Sequence, residues 1–274
     1  MAFMTQKSKA ELLRRLHEGP EVLVFPNAWD ALSARVIEVE GYPAVATTSA
    51  GCAGVLGYTD GQQIPRSEMV FLLAKIVNAV KVPVTADMEA GYDDVEQAGL
   101  DLIAAGAVGL NFEDMVGDEL LPIATQVERI RSLRLIANLN GVPLVINART
   151  DIFLAQHGKE ATRVARSIER LNEYRAAGAD CLFAPGVSDT ETIRQLVREI
   201  DGPVNILAVP GSPTIAQMKD LGVARVSLGS GSSRVAVGAL RSLARELRDH
   251  GTFGALGTVA IPYPEVQALL ARRK

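Results

Sequence analysis

Apolar, β-branched runs of four or five residues recur eight times along the chain, at 22–25, 44–47, 82–86, 109–112, 144–147, 181–184, 204–208 and 225–228. Each has the length of a buried strand. Between them the apolar positions fall at i, i+3 and i+4. That spacing predicts helices over 31–40, 66–80, 95–105, 126–140, 159–177, 190–200 and 214–221, and another over 234–249 after the last strand. Ala105-Gly106, Ala177-Gly178 and Leu221-Gly222 mark helix ends, because glycine takes the left-handed conformation that stops a helix. Prolines precede strands at Pro83, Pro143 and Pro203, where a missing N–H costs little.

Strict alternation of strand and helix implies parallel strands joined by right-handed crossovers. Eight such units in roughly 250 residues is the size of a closed (β/α)8 TIM barrel. A doubly wound open sheet is the alternative, but no G-x-G-x-x-G follows the first strand. Two further helices are predicted outside the units. One spans 9–17 with Ser8 as its N-cap, and one spans 264–272 with proline near its start. The expectation is a single barrel domain over 1–274. Residues 255–274 form a C-terminal helical extension, which either closes its own barrel or is swapped between subunits.

Composition narrows the class. The 274 residues are 48% hydrophobic and 22% charged, enough for a large core without disulfide staples. The net charge of −4 and the lack of any basic block argue against nucleic acid as a partner. No run approaches the roughly 18 apolar residues of a membrane span, and no signal-peptide stretch opens the chain. A cytoplasmic location is therefore expected. Cys52 and Cys181 form no CxxC and are read as buried, reduced thiols.

In a barrel of this kind the chemistry sits just after the strands. Asn27, Trp29 and Asp30 follow the first strand. Thr48, Ser49 and Gly51 follow the second, with a small-residue loop running on to Asp60. Asp87 and Glu89 follow the third, Glu113 and Asp114 the fourth, and Arg149 and Asp151 the fifth. The last three strands contribute mostly Pro, Gly and Ser.

The sharpest of these segments is Ala86-Asp87-Met88-Glu89. Side chains two apart on an extended backbone point the same way, so two carboxylates converge past the strand end. A hard divalent cation, Mg²⁺ or Mn²⁺, would offset their repulsion. Alternatively, Glu89 is solvated and Asp87 caps the following loop. Arg149 has the planar fork that grips a carboxylate, or it is a salt-bridge partner of Asp151 or Glu113. Backbone N–H groups around Ser49 and Gly51 either hold an oxyanion or form a tight turn. His17 lies on the leading helix and His157 before a later one, and neither is placed at the rim.

The motifs Pro26-Asn27-Ala28-Trp29-Asp30, Thr48-Ser49-Ala50-Gly51, Gly57-Tyr58-Thr59-Asp60, Ala86-Asp87-Met88-Glu89-Ala90-Gly91-Tyr92, Asn111-Phe112-Glu113-Asp114 and Asn147-Ala148-Arg149-Thr150-Asp151 occur in this order, each at a strand end. Together they resemble the isocitrate lyase/phosphoenolpyruvate mutase superfamily. The resemblance implies a Mg²⁺-dependent barrel acting through a pyruvate-like enolate, commonly a homotetramer with swapped terminal helices; a homodimer is the alternative. It implies Asp87 as direct metal ligand, with Asp60, Glu89 and Glu113 holding the metal's waters. Arg149 would grip the substrate carboxylate, with Glu113 beside it in the catalytic group. Ser49 and Gly51 would bind the 2-oxo acid, and Trp29 and Asp30 would shape the pocket.

One departure bears on the reaction. Lyases of the superfamily carry a Lys-Lys-Cys-Gly type motif after strand four, and the mutases place a lysine there. Here residues 115–122 contain no Lys, Cys or His. The expected function is a carbon–carbon lyase on a small 2-oxo or 2-hydroxy carboxylic acid, with the acid/base unassigned. One alternative is a binder of oxalate or 2-oxoglutarate without turnover. The others are an enzyme of phosphonate or phosphoenolpyruvate type, and a generic barrel enzyme that holds a phosphorylated substrate on the Gly/Ser loops after strands seven and eight.

Overall fold

The computed structural model describes residues 4–271. In chain order the strands are β1 (Leu23–Phe25), β2 (Val45–Ala46), β3 (Val84–Asp87), β4 (Gly109–Glu113), β5 (Met115–Val116), β6 (Glu119–Leu120), β7 (Val145–Arg149), β8 (Cys181–Phe183), β9 (Val204–Leu207) and β10 (Arg225–Ser227). The helices are α1 (Gln6–Leu16), α2 (Ala31–Val39), α3 (Ser49–Val55), α4 (Arg66–Ala79), α5 (Val95–Ala104), α6 (Ile123–Leu139), α7 (Glu160–Ala176), α8 (Thr190–Glu199), α9 (Ile215–Asp220), α10 (Gly231–His250), α11 (Gly254–Thr258) and α12 (Tyr263–Leu270).

Eight strands form one all-parallel sheet in the order β1-β10-β9-β8-β7-β4-β3-β2. They are the eight apolar runs of the sequence, each followed by a helix, in a (β/α)8 barrel. The sheet closes at the β1/β2 seam through a parallel bridge between Ala28 and Thr47. Asn27 stitches this seam. Its Nδ2 donates to the Thr47 carbonyl at 2.7 Å, and its Oδ1 accepts from the N–H groups of Leu228 and Gly229, both at 3.0 Å. One buried amide thus ties three strand ends together.

The leading helix packs under the opposite end of the barrel. Arg14 reaches the carbonyls of Pro143 and Leu144 and the carboxylate of Asp180, and Leu13 is fully buried. Gly109 makes room for this helix, since a Cβ there would stand 2.8 Å from the Val145 carbonyl oxygen and 3.0 Å from Leu13 Cδ2. The N-cap is Thr5, not the anticipated Ser8. The Thr5 side chain accepts from the Ser8 N–H, so the helix begins earlier than the apolar spacing implied.

His17, at the end of α1, is 5% exposed and bonds through Nδ1 to the Leu13 carbonyl oxygen at 2.8 Å. Burial, reinforced by the Arg225 charge, pushes its pKa down to about 3. The folded ring is therefore neutral where the unfolded ring, with a pKa near 6.5, takes up a proton. Stability from this residue is complete above pH 6.5 and is lost as pH falls towards 3. The full shift is worth on the order of 5 kcal/mol. His17→Gln should flatten the pH dependence of the urea midpoint across that window, and an unchanged dependence would contradict the assignment.

Both cysteines are free and buried, as expected. Among the described residues no helix is long and apolar enough to cross a membrane. Arg35 of α2 donates through Nε to the Leu269 carbonyl oxygen at 2.7 Å, so α12 lies against α2 of its own chain. Most of the trailing helix was anticipated; Arg272 of that prediction lies outside the described residues. α10 buries none of its residues, and Val235, Val237 and Leu240 are 74%, 58% and 67% exposed.

Candidate active site

The ends of β3, β4 and β7 carry the chemistry. Their register pairs Asp87 with Asn111 and Glu113 with Arg149, which puts one carboxylate after another around a single rim. Asp87 is 7% exposed and fixed from both sides. Its N–H donates to Thr47 Oγ1 at 2.8 Å, and its Oδ2 accepts from the Ser49 N–H at 3.0 Å.

That last bond bears on the turn reading of Ser49 and Gly51. The small-residue run is the short helix α3 rather than a turn, and its first N–H is taken up by Asp87. Gly51 is where α3 meets Trp29; a Cβ would lie 2.8 Å from Trp29 Cβ and 2.7 Å from Thr48 Cγ2. Trp29 is half-buried, and Asp30 is the N-cap of α2, its Oδ1 accepting from the Ser33 N–H at 2.7 Å.

Glu89 is 3% exposed and sits at φ +50°, a conformation that costs a non-glycine residue energy and tends to persist at functional sites. Its Oε2 accepts from the Gln62 N–H at 2.6 Å. Burial, followed by the charges of Asp87 and Asp60, pushes this carboxyl up to about 7. Asp60 is exposed on the loop before α4, close enough for its field to reach Glu89. Two residues on, Gly91 takes φ +79°, and a Cβ there would stand 2.8 Å from Phe112 Cε2. Arg129 holds the same turn by donating to the Ala90 carbonyl while stacking 5.0 Å from the Phe112 ring.

Arg149 meets both proposed salt-bridge partners at once. Its Nη1 lies 2.6 Å from Glu113 Oε1, and its Nε donates to Asp151 Oδ1 at 2.7 Å. Burial alone would lower its pKa, but Glu113 and Asp151 more than offset that, so the guanidinium is firmly protonated. Burial raises Glu113, with Arg149 opposing the shift. Asp87 acts on all of these groups: its charge contributes to the shifts of Glu89, Glu113, Arg149 and Asp151.

Glu89, Glu113, Arg149 and Asp151 bound a cleft of about 220 Å³, walled on one side by Met115 and Gly117. Those two residues belong to a feature the sequence reading did not anticipate. The segment after β4 is an antiparallel hairpin, β5 paired with β6, turning at Gly117 with φ +58°. The dipeptide Gly117-Asp118, between Met115-Val116 and Glu119-Leu120, was the signal for it.

Whether these residues fit a divalent cation can be tested on their oxygens. Asp87 Oδ1 and Glu89 Oε1 are buried and accept no hydrogen bond. Leaving two carboxylate oxygens unpaired is costly unless a cation meets them. Among the described residues no three acidic, histidine or cysteine side chains converge into a ready-made cage. One or two carboxylates with the remaining positions held through water is the habit of Mg²⁺, and the donor set fits that pattern. Buried Arg225, its Nη2 on Asn111 Oδ1 at 3.1 Å, supplies a countercharge within range of Asp87.

Comparison with known proteins agrees with this geometry. The sequence model of the phosphoenolpyruvate phosphomutase family matches residues 13–248. A candidate lyase/mutase from Burkholderia cenocepacia J2315 superposes with a TM-score of 0.91 at 34% identity, covering 98% of both chains. 2,3-Dimethylmalate lyase, a member of the phosphoenolpyruvate mutase/isocitrate lyase superfamily, gives 0.84 at 28% identity, over 96% of this chain and 95% of its own. Oxaloacetate acetylhydrolase in complex with its product oxalate also gives 0.84, at 26% identity, over 96% and 94%.

Proposed function

This chain belongs to the phosphoenolpyruvate phosphomutase family, within the phosphoenolpyruvate mutase/isocitrate lyase superfamily, and from that premise we propose that it is a divalent-cation-dependent carbon–carbon lyase acting on a small 2-oxo or 2-hydroxy carboxylic acid. The observation that carries this reading is the pair of buried, unpartnered oxygens, Asp87 Oδ1 and Glu89 Oε1, on one rim, where Glu89 lines the same cleft as protonated Arg149. Asp87 would hold the cation directly, and Asp60, Glu89 and Glu113 would hold its waters; Mg²⁺ is favoured, with Mn²⁺ the alternative. When bound there, the cation supplies Lewis-acid polarisation of the substrate's 2-oxo group.

The remaining work falls to the chain's own residues. Glu113 and Asp151 fix Nη1 and Nε of Arg149, so the guanidinium presents a set orientation to a substrate carboxylate in the cleft that it lines. Ser49 and Gly51 would act from behind the cleft through α3, which meets Asp87 at the Ser49 N–H and packs on Trp29 at Gly51, while Asp30 caps α2 beside Trp29.

The hairpin over the cleft offers no Lys, Cys or His. Retro-aldol cleavage of a 2-hydroxy acid requires a base to take the hydroxyl proton. Decarboxylation of a 2-oxo diacid whose second carboxylate sits on the carbon next to the 2-oxo carbon does not. The bond to the leaving carboxylate breaks, its electrons pass to the 2-oxo carbon–oxygen pair as an enolate, and the enolate carbon then takes a proton, which water can supply. The chemistry of the hairpin therefore favours decarboxylation. It also favours one second reading, a binder of 2-oxo acids without turnover.

The decisive assay follows CO₂, pyruvate and glyoxylate release from a panel of C4–C7 2-oxo and 2-hydroxy acids with and without Mg²⁺. Release of CO₂ with Mg²⁺ is expected. Binding of oxalate without turnover of any acid would leave the second reading and sink the first. The reading includes assembly into a homodimer or homotetramer, because α10 exposes an apolar face; a monomer mass by light scattering would contradict that part.

A further inference from the structure

The hairpin that walls the cleft has little to hold it. Its ladder is two residues long on each side, and residues 116–119 are exposed. A two-stranded ribbon of that size is not stable by itself. Its base, however, is tied into the interior.

Asp114, fully buried just before β5, accepts at Oδ2 from Arg170 Nε and from the Tyr174 hydroxyl, both at 2.8 Å. Its carbonyl accepts from the Leu121 N–H at 2.8 Å, which closes the hairpin. Arg170 also donates through Nη2 to the Leu121 carbonyl, so one guanidinium holds both ends of the hairpin. Arg170 and Tyr174 sit one turn apart on α7, and the two bond each other at 3.0 Å. The other Asp114 oxygen, Oδ1, accepts from the Asp151 N–H at 3.1 Å, and Asp151 in turn holds Arg149 Nε. An unbroken line of hydrogen bonds runs from α7 through Asp114 to the hairpin on one side and to Arg149 on the other.

The geometry points to Asp114 and Arg170 as a positioning pair that makes the hairpin and the Arg149-bearing strand end one rigid unit, so that Met115 and Gly117 form a fixed wall of the cleft rather than a lid. Neither residue touches the cleft; both act through what they hold. The charges favour this arrangement. Asp114 and Arg170 are a buried pair at 2.8 Å with every Asp114 oxygen engaged, and the Tyr174 hydroxyl, raised by burial and by Asp114, stays a donor. Breaking such a pair loosens whatever depends on it more than it disturbs the distant core.

Amide hydrogen exchange on the full chain tests the coupling without any ligand. In Arg170→Met, exchange should accelerate about tenfold or more in residues 115–121 and in residues 150–155 together, with the barrel strands unchanged. Should that variant exchange globally, Tyr174→Phe removes one donor to Asp114 and should produce a smaller rise in the same two segments. A rise confined to the hairpin, or to neither segment, in the folded variants overturns the pairing.

A second arm rests on the 2-oxo acid reading above. Calorimetry with oxalate and Mg²⁺ should show affinity falling about tenfold in Tyr174→Phe or Arg170→Met. Unchanged affinity in a variant whose two segments have loosened overturns the positioning role. Wild-type protein that binds no oxalate counts against the 2-oxo acid reading instead, and the exchange result still decides the pair.

Discussion

Asp87→Asn should lose cation-dependent oxalate binding by about 100-fold or more, some 2.7 kcal/mol, while melting at the same temperature as the wild type or higher. The two effects have one cause. Asp87 is the carboxylate whose charge bears on Glu89, Glu113 and Asp151 together, so it concentrates negative potential at the rim. That potential attracts a cation, and without one it is repulsion stored in the fold. Asparagine keeps an oxygen to accept from the Ser49 N–H, which stands 3.0 Å from Oδ2, and removes only the charge. Each kcal/mol of repulsion relieved is worth about 2–4 °C in melting temperature for a chain of this class. Calorimetry and thermal melts in EDTA read the two effects separately. Oxalate affinity within about threefold of wild type would remove Asp87 from the metal site.

Arg149→Lys should raise the Kd for oxalate, or the KM for a turned-over acid, by roughly ten- to a hundredfold. Lysine keeps the charge but offers a single nitrogen on a flexible stem. It cannot meet Glu113 and Asp151 at 2.6 and 2.7 Å from two nitrogens and still present a third to a substrate carboxylate. Arg149→Met goes further and strands two buried carboxylates, which should cost about 3–5 kcal/mol of stability by the usual penalty for breaking a buried pair. A ligand affinity in Arg149→Lys equal to wild type would mean that the arginine only neutralises its neighbours. The salt-bridge and substrate roles, open as alternatives in the sequence, are then separated by one substitution.

The parts of this molecule legible in its sequence are those governed by local pattern. Eight apolar runs bounded by Gly and Pro became eight parallel strands within a residue or two, because a strand buried on both faces has to be apolar throughout. Asp87, Glu113 and Arg149 could be placed at one rim because each ends a strand and barrel strands share a direction. α3 was missed because Ser49-Ala50-Gly51-Cys52-Ala53-Gly54-Val55 has two glycines and no apolar stripe. It is helical because small residues let it pack against Trp29 and Asp87. Asp114 could be seen as a carboxylate after the fourth strand, but not its partners. Arg170 and Tyr174 lie 56 and 60 residues away, and no spacing rule links them. Arg225 reads as an ordinary strand-end charge until the fold places it, fully buried, against Asn111 and the Phe25 ring.

The central claim is that the carboxylates of this rim and Arg149 form one site, completed by a divalent cation and fitted to a 2-oxo acid. Calorimetric titration of wild-type protein with oxalate, in Mg²⁺ and again in EDTA, tests it most directly. The account predicts saturable binding in Mg²⁺ that disappears in EDTA. Equal binding in both, or none in either, would contradict it.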